Sequence, residues 1–319
     1  MIKFKFLKKM YIYQNILFSL IFLFILLHVH KLFFKKYNTT EGFNNNDISI
    51  YFKQHYSERK NPNIFTNLYI DIYEELFQDK DRIIFEIDTI LNTTNINKKS
   101  IILDIGSGIG NHLKILTEIT PNTQGLELSQ DMINYSKQKY PNIQCNQGNA
   151  IDTFLYNPLQ FTHISMLFYT FYYIENKEQL IQNIFTWLQF NGYFILHLVD
   201  PYKFNPILSI INPSCYMPFQ KCYSNNTISQ PKHSKINYKH FKYNSTFNIN
   251  DDKHATFEEK ITHHKTGHVI KNIHTLYIES IEHILKICKQ IGFTFIEKID
   301  MKSCGYDFQY IYIFKKNNP

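Results

Sequence analysis

The sequence predicts an α/β fold built on a largely parallel β-sheet. Between residues 100 and 199, short apolar strand patterns alternate with helical patterns, and this alternation is typical of parallel strands joined by helical crossovers. A glycine-rich turn at residues 104–110 separates the first of these strands from the helix after it. Further along, period-two alternation of apolar and polar residues predicts antiparallel strands added to the main sheet.

The predicted elements follow in a regular order. Helical spacing of isoleucine, leucine and aromatic residues predicts helical structure over residues 64–92. Five strands are predicted next, interleaved with helices that start after the glycine-rich turn and at residues 130 and 177: 101–103, 123–128, 143–145, 161–168 and 193–199. Residues 200–239 carry five prolines and no clear period, which indicates an inserted loop. The remaining predicted elements are strands at 240–249, 255–264, 268–278, 293–301 and 307–314, and a helix at 281–291 capped by Ser280.

The N-terminal residues have the composition of a membrane anchor. Residues 10–29 contain no formally charged side chain, and a helix of roughly this length spans a hydrocarbon core of about 30 Å. Lysines flank this stretch on both sides, and no small residues follow it that would mark a signal-peptide cleavage site. We therefore expect residues 1–36 to be a single-pass transmembrane anchor and the polar residues 37–63 to be a tether. A buried core helix and a cleaved signal peptide are the alternatives.

The charge distribution disfavours a nucleic-acid partner. Residues 1–40 hold seven of the 34 basic side chains and none of the 27 acidic ones, so the rest of the chain carries equal numbers of each. Binding to nucleic acid requires a clustered basic excess, which this body lacks. The five cysteines are scattered and form no CxxC pair, so neither a disulfide framework nor a metal site is expected.

The glycine-rich turn has the layout of a nucleoside site. Gly106, Gly108 and Gly110 lie between a predicted strand and helix, where glycine permits positive φ and close approach of a ligand. Glu127 ends the next strand, where a carboxylate can accept both hydroxyls of a ribose. A dinucleotide fingerprint would need a glycine at position 111, but Asn111 stands there. The spacing is instead D-x-G-x-G-x-G.

With these motifs the chain resembles the class I S-adenosylmethionine (SAM)-dependent methyltransferases, over most of residues 64–314. ILDIGSGIGNH is similar to their first motif, GLELSQDMINYSKQ to their second and CNQGNAID to their third. The resemblance extends to FTHISMLFYTFYYI and WLQFNGYFILHLVDP, and it is nearest to uncharacterised methyltransferase-domain proteins of the viral type. It implies a Rossmann-like seven-stranded sheet in residues 64–319, with residues 200–278 as an inserted antiparallel β region that covers the acceptor site.

The resemblance also implies roles for individual residues. The glycines would admit the methionine and ribose parts of SAM, Asp104 would order their loop or reach the amino group, and Glu127 would bind the ribose. Leu128, Asn149 and Ala150 would contact the adenine. The full set of implied cofactor residues is Asp104, Gly106, Ser107, Gly108, Gly110, Glu127, Leu128, Asn149, Ala150, Met166, Leu167 and Phe168.

A general base is less well specified. Asp200, Tyr169, Tyr172 and Tyr173 are candidates at the mouth of the sheet, although packing explains the tyrosines equally well. His197 falls in a buried strand pattern, which is typical of a core histidine. Other histidines crowd the later strands without metal-ligand spacing, so we expect solvated strand faces there and an exposed pair at Glu258 and Glu259. The histidines concerned are His254, His263, His264, His268 and His274.

The sequence therefore predicts an SAM-dependent methyltransferase with a small-molecule or lipid-proximal acceptor; a protein acceptor stays open. The alternatives are a catalytically inactive SAM-binding scaffold tethered to the membrane and a nucleotide-dependent oxidoreductase. Because SAM is made in the cytosol, we expect the catalytic domain to face it. The small excess of lysines before the apolar stretch favours the opposite orientation.

Overall fold

A computed structural model of the protein describes residues 48–77, 80–204 and 233–318, all within one compact unit. The predicted anchor, the first part of the predicted tether and most of the predicted proline-rich loop lie outside the described residues. No helix in the described ranges is both long enough and apolar enough to cross a membrane.

The strands in chain order are β1 (Tyr56–Lys60), β2 (Ile102–Ile105), β3 (Thr123–Glu127), β4 (Gln144–Gln147), β5 (Phe161–Met166), β6 (Leu188–Val199), β7 (His233–Asn237), β8 (Phe241–Ile249), β9 (His254–His263), β10 (Val269–Tyr277), β11 (Phe293–Asp300) and β12 (Gln309–Lys316). The helices are α1 (Asn67–Phe77), α2 (Lys80–Thr94), α3 (Asn111–Ile119), α4 (Gln130–Lys139), α5 (Lys177–Trp187) and α6 (Ile281–Ile291). Short 3-10 helices occur at Ile48–Tyr51, Thr170–Tyr173 and Met301–Cys304.

The main sheet has seven strands in the order β11-β12-β6-β5-β2-β3-β4. Strands β4, β3, β2, β5 and β6 are parallel to one another, whereas β12 runs antiparallel to both β6 and β11. The predicted Rossmann-like seven-stranded sheet is therefore confirmed. The strand order reverses direction at β2, so the carboxyl ends of β2 and β5 flank a crevice where ligands bind in such sheets.

Local sequence signals determine where several helices begin. The hydroxyl of Ser129 accepts a hydrogen bond from the backbone N–H of Met132 at the start of α4. Asn176 caps α5 and Ser280 caps α6 in the same way. These side chains satisfy N–H groups that have no partner inside the helix. The predicted helices at 130–139 and 281–291 are confirmed to the residue.

The core lies between the main sheet and the helices that cross over it. Trp187, Phe161 and Phe194 are completely buried there, together with apolar residues from α5, α6 and β12. Apolar residues of the second sheet, including Ala255 and Phe257, belong to the same cluster. The two sheets thus share one hydrophobic core, whose burial is the main favourable contribution to folding.

The antiparallel strands form a second sheet, and the expectation that they extend the main sheet is wrong. Strands β1, β10, β9, β8 and β7 pair with one another in that order, and none pairs with a strand of the seven-stranded sheet. Period-two alternation predicted the strands correctly, but it carries no information on which strands pair. Of the predicted insertion at 200–278, residues 233–278 form β7 to β10.

The predicted tether also needs a correction. Residues 56–60 form β1, which pairs in parallel with β10 from Tyr56↔Val269 to Lys60↔Ile273. The sequence of this strand, YSERK, is polar and largely exposed, because an edge strand is held by backbone hydrogen bonds rather than by apolar side chains. Because its residues are polar, strand β1 was not predicted from a pattern of apolar residues. The helical region predicted at 64–92 consists of α1 and α2.

Candidate functional site

The glycine-rich loop connects β2 to α3 through residues with left-handed backbone. Gly106 has a φ of +70° and Gly108 a φ of +54°. A side chain at Gly106 would collide with Thr170, whereas a Cβ at Gly108 would meet only Met132 Sδ, at 3.7 Å. The loop thus needs glycine for its conformation, and beside Gly108 the missing side chain leaves open space.

Glu127 connects this loop to the end of the next strand. Its Oε2 accepts a hydrogen bond from the N–H of Gly108 at 2.9 Å, and its Oε1 accepts from the N–H groups of Leu128 and Ser129, also at 2.9 Å. Burial raises the pKa of the Glu127 carboxyl, and the three backbone hydrogen bonds oppose that rise. A largely buried carboxylate is therefore fixed beside the open space at Gly108.

Asp104 is the second buried acid of the site. It is 3% exposed at the end of β2, and its Oδ1 accepts a hydrogen bond from Ser165 Oγ at 2.7 Å. Burial raises its pKa, while His112 and the Ser165 hydroxyl lower it. Ser165 lies on the adjacent strand β5, so the contact joins the two strands that flank the crevice.

A cavity of about 1110 Å³ opens at this end of the sheet. Most of the cofactor residues implied by the resemblance line it: Asp104, Gly106, Ser107, Gly108, Glu127, Leu128, Asn149, Ala150, Leu167 and Phe168. Leu128 is 48% exposed, as expected of an apolar side chain that a flat ligand could cover. Asn149 Oδ1 accepts from the N–H of Ile151 at 3.3 Å, which holds the turn after β4.

Two residues of the implied set do not line the cavity. Met166 is completely buried in the hydrophobic core, because alternate side chains of β5 point to opposite faces of the sheet. At Gly110 an added Cβ would lie 2.8 Å from Ile143 Cδ1 and 3.1 Å from Ser136 Cβ. Gly110 therefore allows α4 and the segment after it to pack closely against the loop, and it leaves no room for a ligand.

A buried charged cluster beside the loop was not predicted. Arg82 Nη1 lies 3.2 Å from Glu86 Oε1, and His112 Nε2 lies 2.7 Å from Glu86 Oε2. The Arg82 guanidinium also lies over the ring of Phe168, 3.7 Å from its centroid. Arg82 and His112 line the cavity. Two signals were available: the i, i+4 charge pair on α2 and the position of His112 directly after the loop.

The cavity continues into a chamber with aromatic walls. The aromatic residues there come from α1 and the segment before it, from the 3-10 helix after β5 and the residue before it, from the turn after β6 and from the second sheet: Phe65, Tyr69, Tyr73, Tyr169, Tyr172, Tyr173, Phe204, Phe247 and Phe257. Phe168 and Tyr169 have φ values of +40° and +61°. Such values are unusual for residues other than glycine and indicate local strain next to the cavity.

The three candidate tyrosines have different hydroxyl partners. Tyr169 Oη donates to Gln309 Oε1 at 3.1 Å, and Tyr172 Oη accepts from the N–H of Val199 at 2.8 Å. Tyr173 Oη instead lies 2.8 Å from Nδ1 of His274. Among these three contacts, only the one made by Tyr173 joins the hydroxyl to a titratable side chain.

Asp200, the fourth candidate base, does not line the cavity. Its Oδ2 pairs with Lys203 Nζ at 3.2 Å, and its Oδ1 accepts from the N–H of Tyr202 at 3.1 Å. These contacts make Asp200 the start of a turn after β6. Asp200 thus follows the carboxyl end of β6, as predicted, but its side chain is engaged in the turn and not in the lining of the cavity.

The expected solvated strand faces hold for His254, His264 and His268, which are half-buried or exposed, but they are wrong for other residues of these strands. His274 and Glu259 are completely buried and His263 is 3% exposed. His197 is buried in β6 as predicted, accepts a hydrogen bond from the N–H of Tyr169 at 3.3 Å, and has a pKa lowered by burial to about 4. The signal for Glu259 was its place on the same face of β9 as Phe257 and Ile261.

Comparisons with known proteins identify the family of the chain. A family model described as a methyltransferase domain matches residues 96–259, slightly more than half of the chain. A dTDP-3-amino-3,4,6-trideoxy-alpha-D-glucopyranose N,N-dimethyltransferase from Streptomyces venezuelae is 32% identical over 81 residues, which are 25% of this chain. That match spans 33% of the length of this curated relative.

Solved structures of methyltransferases share the fold. An S-adenosylmethionine-dependent methyltransferase from Clostridium acetobutylicum superposes with a TM-score of 0.60 at 17% identity, covering 79% of this chain and 99% of that one. A sugar N-methyltransferase from Streptoalloteichus gives a TM-score of 0.59 at 16% identity, with 78% and 93% coverage. An SAM-bound amino pentose methyltransferase from Micromonospora echinaspora gives 0.58 at 13% identity, with 80% and 99% coverage. The chain therefore belongs to the methyltransferase-domain family, and its fold is that of the S-adenosylmethionine-dependent methyltransferases.

Proposed function

We propose that this methyltransferase-domain protein transfers the methyl group of SAM to a nitrogen atom of a small molecule. The observation that carries the proposal is the continuous cavity at the carboxyl ends of the parallel strands. One end of it is lined by Gly106, Gly108 and Glu127, and the other by aromatic side chains. A donor and an acceptor molecule can therefore lie side by side in one cavity.

The residues at the first end fit a nucleoside that carries an amino acid. Open space at Gly108 adjoins the Glu127 carboxylate, which is suited to accept hydrogen bonds from ribose hydroxyls. Leu128, Asn149 and Ala150 would hold the adenine. Asp104 would face an ammonium group, while Arg82 and His112 would face a carboxylate.

SAM supplies a methyl group already activated on a sulfonium, so the chain itself need not activate the donor. What these residues contribute is position. Binding holds the two reactants in contact and in the correct orientation. The loss of translational and rotational entropy therefore occurs on binding and no longer adds to the activation barrier. The aromatic walls give the acceptor end of the cavity a largely apolar surface.

The acceptor class is supported by the relatives. The curated relative from Streptomyces venezuelae is named for an N,N-dimethylation of an amino-sugar nucleotide, and a structural neighbour is a sugar N-methyltransferase. The formally neutral body favours a small molecule over a nucleic acid.

We further propose that residues 10–29 anchor residues 64–319 to a membrane, with this domain on the cytosolic side and its acceptor close to the lipid surface.

Calorimetric titration of the full-length chain with SAM tests the proposal. We expect Gly108→Asp to weaken SAM binding at least about 10-fold, because the new side chain enters the open space and its charge faces Glu127. Gly267→Asp is the matched control. Gly267 also has a positive φ, +68°, but nothing lies within 4 Å of an added Cβ there.

A folded wild-type chain that does not bind SAM would overturn the proposal, as would equal losses in the two variants. Transfer of a radiolabelled methyl group from SAM to amines provides the second readout. A chain that binds SAM and transfers nothing to an amine, a hydroxyl compound or a protein extract would support the scaffold alternative instead.

A further inference from the structure

A chain of short hydrogen bonds leads from the cavity into the second sheet. Tyr173, which lines the cavity, has its Oη 2.8 Å from Nδ1 of His274. Nε2 of the same histidine lies 2.8 Å from Oε2 of Glu259. The three residues come from the 3-10 helix after β5, from β10 and from β9, so only the folded protein brings them together.

Glu259 is held in a fully buried environment. Its Oε1 accepts a hydrogen bond from Tyr243 Oη at 2.7 Å, and its Oε2 accepts a further one from Asn272 Nδ2 at 3.1 Å. A carboxylate with these donors accepts from the N–H at Nε2 of His274, which leaves Nδ1 as the hydrogen-bond acceptor of the ring. Tyr173 must therefore be the donor in its contact with His274.

Aromatic rings enclose this histidine. The ring centroids of Phe257, Tyr69 and Phe65 lie 5.4, 5.8 and 6.0 Å from that of His274. The histidine is completely buried and does not itself line the cavity, and its hydrogen bond to Tyr173 connects it to a residue that does. Burial raises the pKa of Tyr173 well above its ordinary value, which keeps the phenol protonated and able to donate.

We infer that Tyr173 is the catalytic residue that takes the proton from an amine acceptor, and that His274 and Glu259 are positioning residues that receive and balance it. This inference rests on the proposed methyl transfer to nitrogen. It distinguishes Tyr173 from Tyr169 and Tyr172, whose hydroxyls contact a side-chain amide and a backbone N–H.

The proposed reaction transfers one methyl group and then one proton. The acceptor nitrogen forms its bond to the methyl carbon while the bond between sulfur and that carbon breaks, and sulfur keeps the electron pair. The resulting ammonium loses a proton to Tyr173 Oη as the phenolic hydrogen passes to Nδ1 of His274. The imidazolium then faces the Glu259 carboxylate, and its proton returns to solvent after the product leaves.

The test compares single variants in the full-length chain. The probe acceptors are dTDP-3-amino-3,4,6-trideoxy-α-D-glucopyranose and a series of primary alkylamines, each with radiolabelled SAM. We expect Tyr173→Phe, His274→Gln and Glu259→Gln each to lower kcat about 100-fold. Their dissociation constants for SAM, measured by calorimetry, should stay within about twofold of wild type, because Tyr173, His274 and Glu259 hydrogen-bond to one another whereas Glu127 is held by backbone N–H groups.

Two further variants separate proton transfer from structure. Glu259→Asp keeps the carboxylate and should recover part of the kcat that Glu259→Gln loses. His263→Gln is the matched control for His274→Gln. His263 is also buried but lies in β9, and its ring contacts Thr266 Oγ1 at 3.0 Å. Its kcat should stay within about twofold of wild type.

Several outcomes would overturn the inference. One is an unchanged kcat in Tyr173→Phe, a variant that removes a single hydroxyl. Another is equal losses in His274→Gln and His263→Gln with SAM affinity falling in parallel, which indicates a structural role. A wild-type chain that binds SAM but methylates none of the amines would remove the amine acceptor and the relay with it. Loss of SAM binding by the wild type is a separate result and overturns the proposed function itself.

Discussion

Arg82 and Glu86 are oppositely charged residues buried one helical turn apart on α2, at 3% and 0% exposure. Burial alone would raise the pKa of Glu86, but the Arg82 guanidinium and His112 outweigh it and lower that pKa to about 2. An ion pair in this setting carries a high cost of desolvation, and removal of one partner leaves the other charge without compensation.

We therefore expect Glu86→Gln to lower the free energy of unfolding by about 3–5 kcal/mol, measured by urea unfolding at pH 7. Glu118→Gln is the control, because the Lys114–Glu118 pair has the same i, i+4 spacing on α3 but is exposed. Its loss should be below about 1 kcal/mol. Equal losses in both variants would contradict this explanation.

The same pair predicts a pH dependence. The pKa of Glu86 is depressed from 4.5 to about 2 on folding, so its contribution to stability is complete above pH 4.5 and is lost as the pH falls towards 2. Wild type should therefore lose more stability than Glu86→Gln over this range. A constant difference between the two unfolding curves from pH 5 to pH 2 would refute the assignment.

The 3-10 helix Thr170–Tyr173 is the element that presents the tyrosines to the cavity. Lys177, at the start of α5, donates hydrogen bonds to the carbonyl oxygens of Phe171 and Ile174, the latter at 2.6 Å. Lys177 is 3% exposed, and burial lowers its pKa from 10.5 to about 7, against a smaller opposing effect of Glu279. The lysine thus fastens the 3-10 helix to α5 at a cost in desolvation.

Above neutral pH, Lys177 should make the free energy of unfolding depend on pH. Between its folded pKa of about 7 and its ordinary value of 10.5, the unfolded chain binds the proton that the folded chain has released. The free energy of unfolding therefore gains up to about 1.4 kcal/mol per pH unit from this group. Lys177→Met should lose that slope relative to wild type, whereas Lys286→Met, at an exposed position of α6, should keep it. Chemical unfolding at pH 7, 8, 9 and 10 measures the difference.

At the scale of the whole molecule, two separate sheets share one core and one cavity. The seven-stranded sheet supplies the glycine-rich loop and Glu127, while the second sheet supplies Phe247, Phe257 and Leu276 to the opposite wall. The second sheet is closed at one edge by β1, from a segment some 200 residues earlier in the chain than its partner β10. The walls of the cavity therefore come from two different layers of the structure.

The proposed membrane anchor predicts how the whole protein behaves in a cell extract. We expect the full-length chain to sediment with membranes and to resist alkaline extraction, because residues 10–29 would span the bilayer. Deletion of residues 1–36 should release the protein into the soluble fraction with its SAM affinity unchanged within about twofold. A full-length chain found only in the soluble fraction would contradict the anchor, and glycosylation at Asn244 in cells would contradict the cytosolic orientation.

The sequence by itself determined the features that depend on neighbouring residues. Caps such as Ser129 and Ser280, the alternation of strands with helices and the D-x-G-x-G-x-G turn are local, because each involves groups only a few residues apart. Glu127 was predictable from its place at the end of the strand that follows the glycine-rich turn, although its hydrogen bond from the N–H of Gly108 joins residues 19 apart in sequence.

Only the tertiary structure decided which side chains meet across large separations in sequence. Tyr173 and His274 are 101 residues apart, and Glu86 and His112 are 26 apart on different helices. Period-two alternation shows that Glu259 shares a face with Phe257, but not whether that face is turned towards solvent or the core. The pairing of strands and the packing of the two sheets settle that question, because burial and hydrogen bonding are properties of the folded chain as a whole.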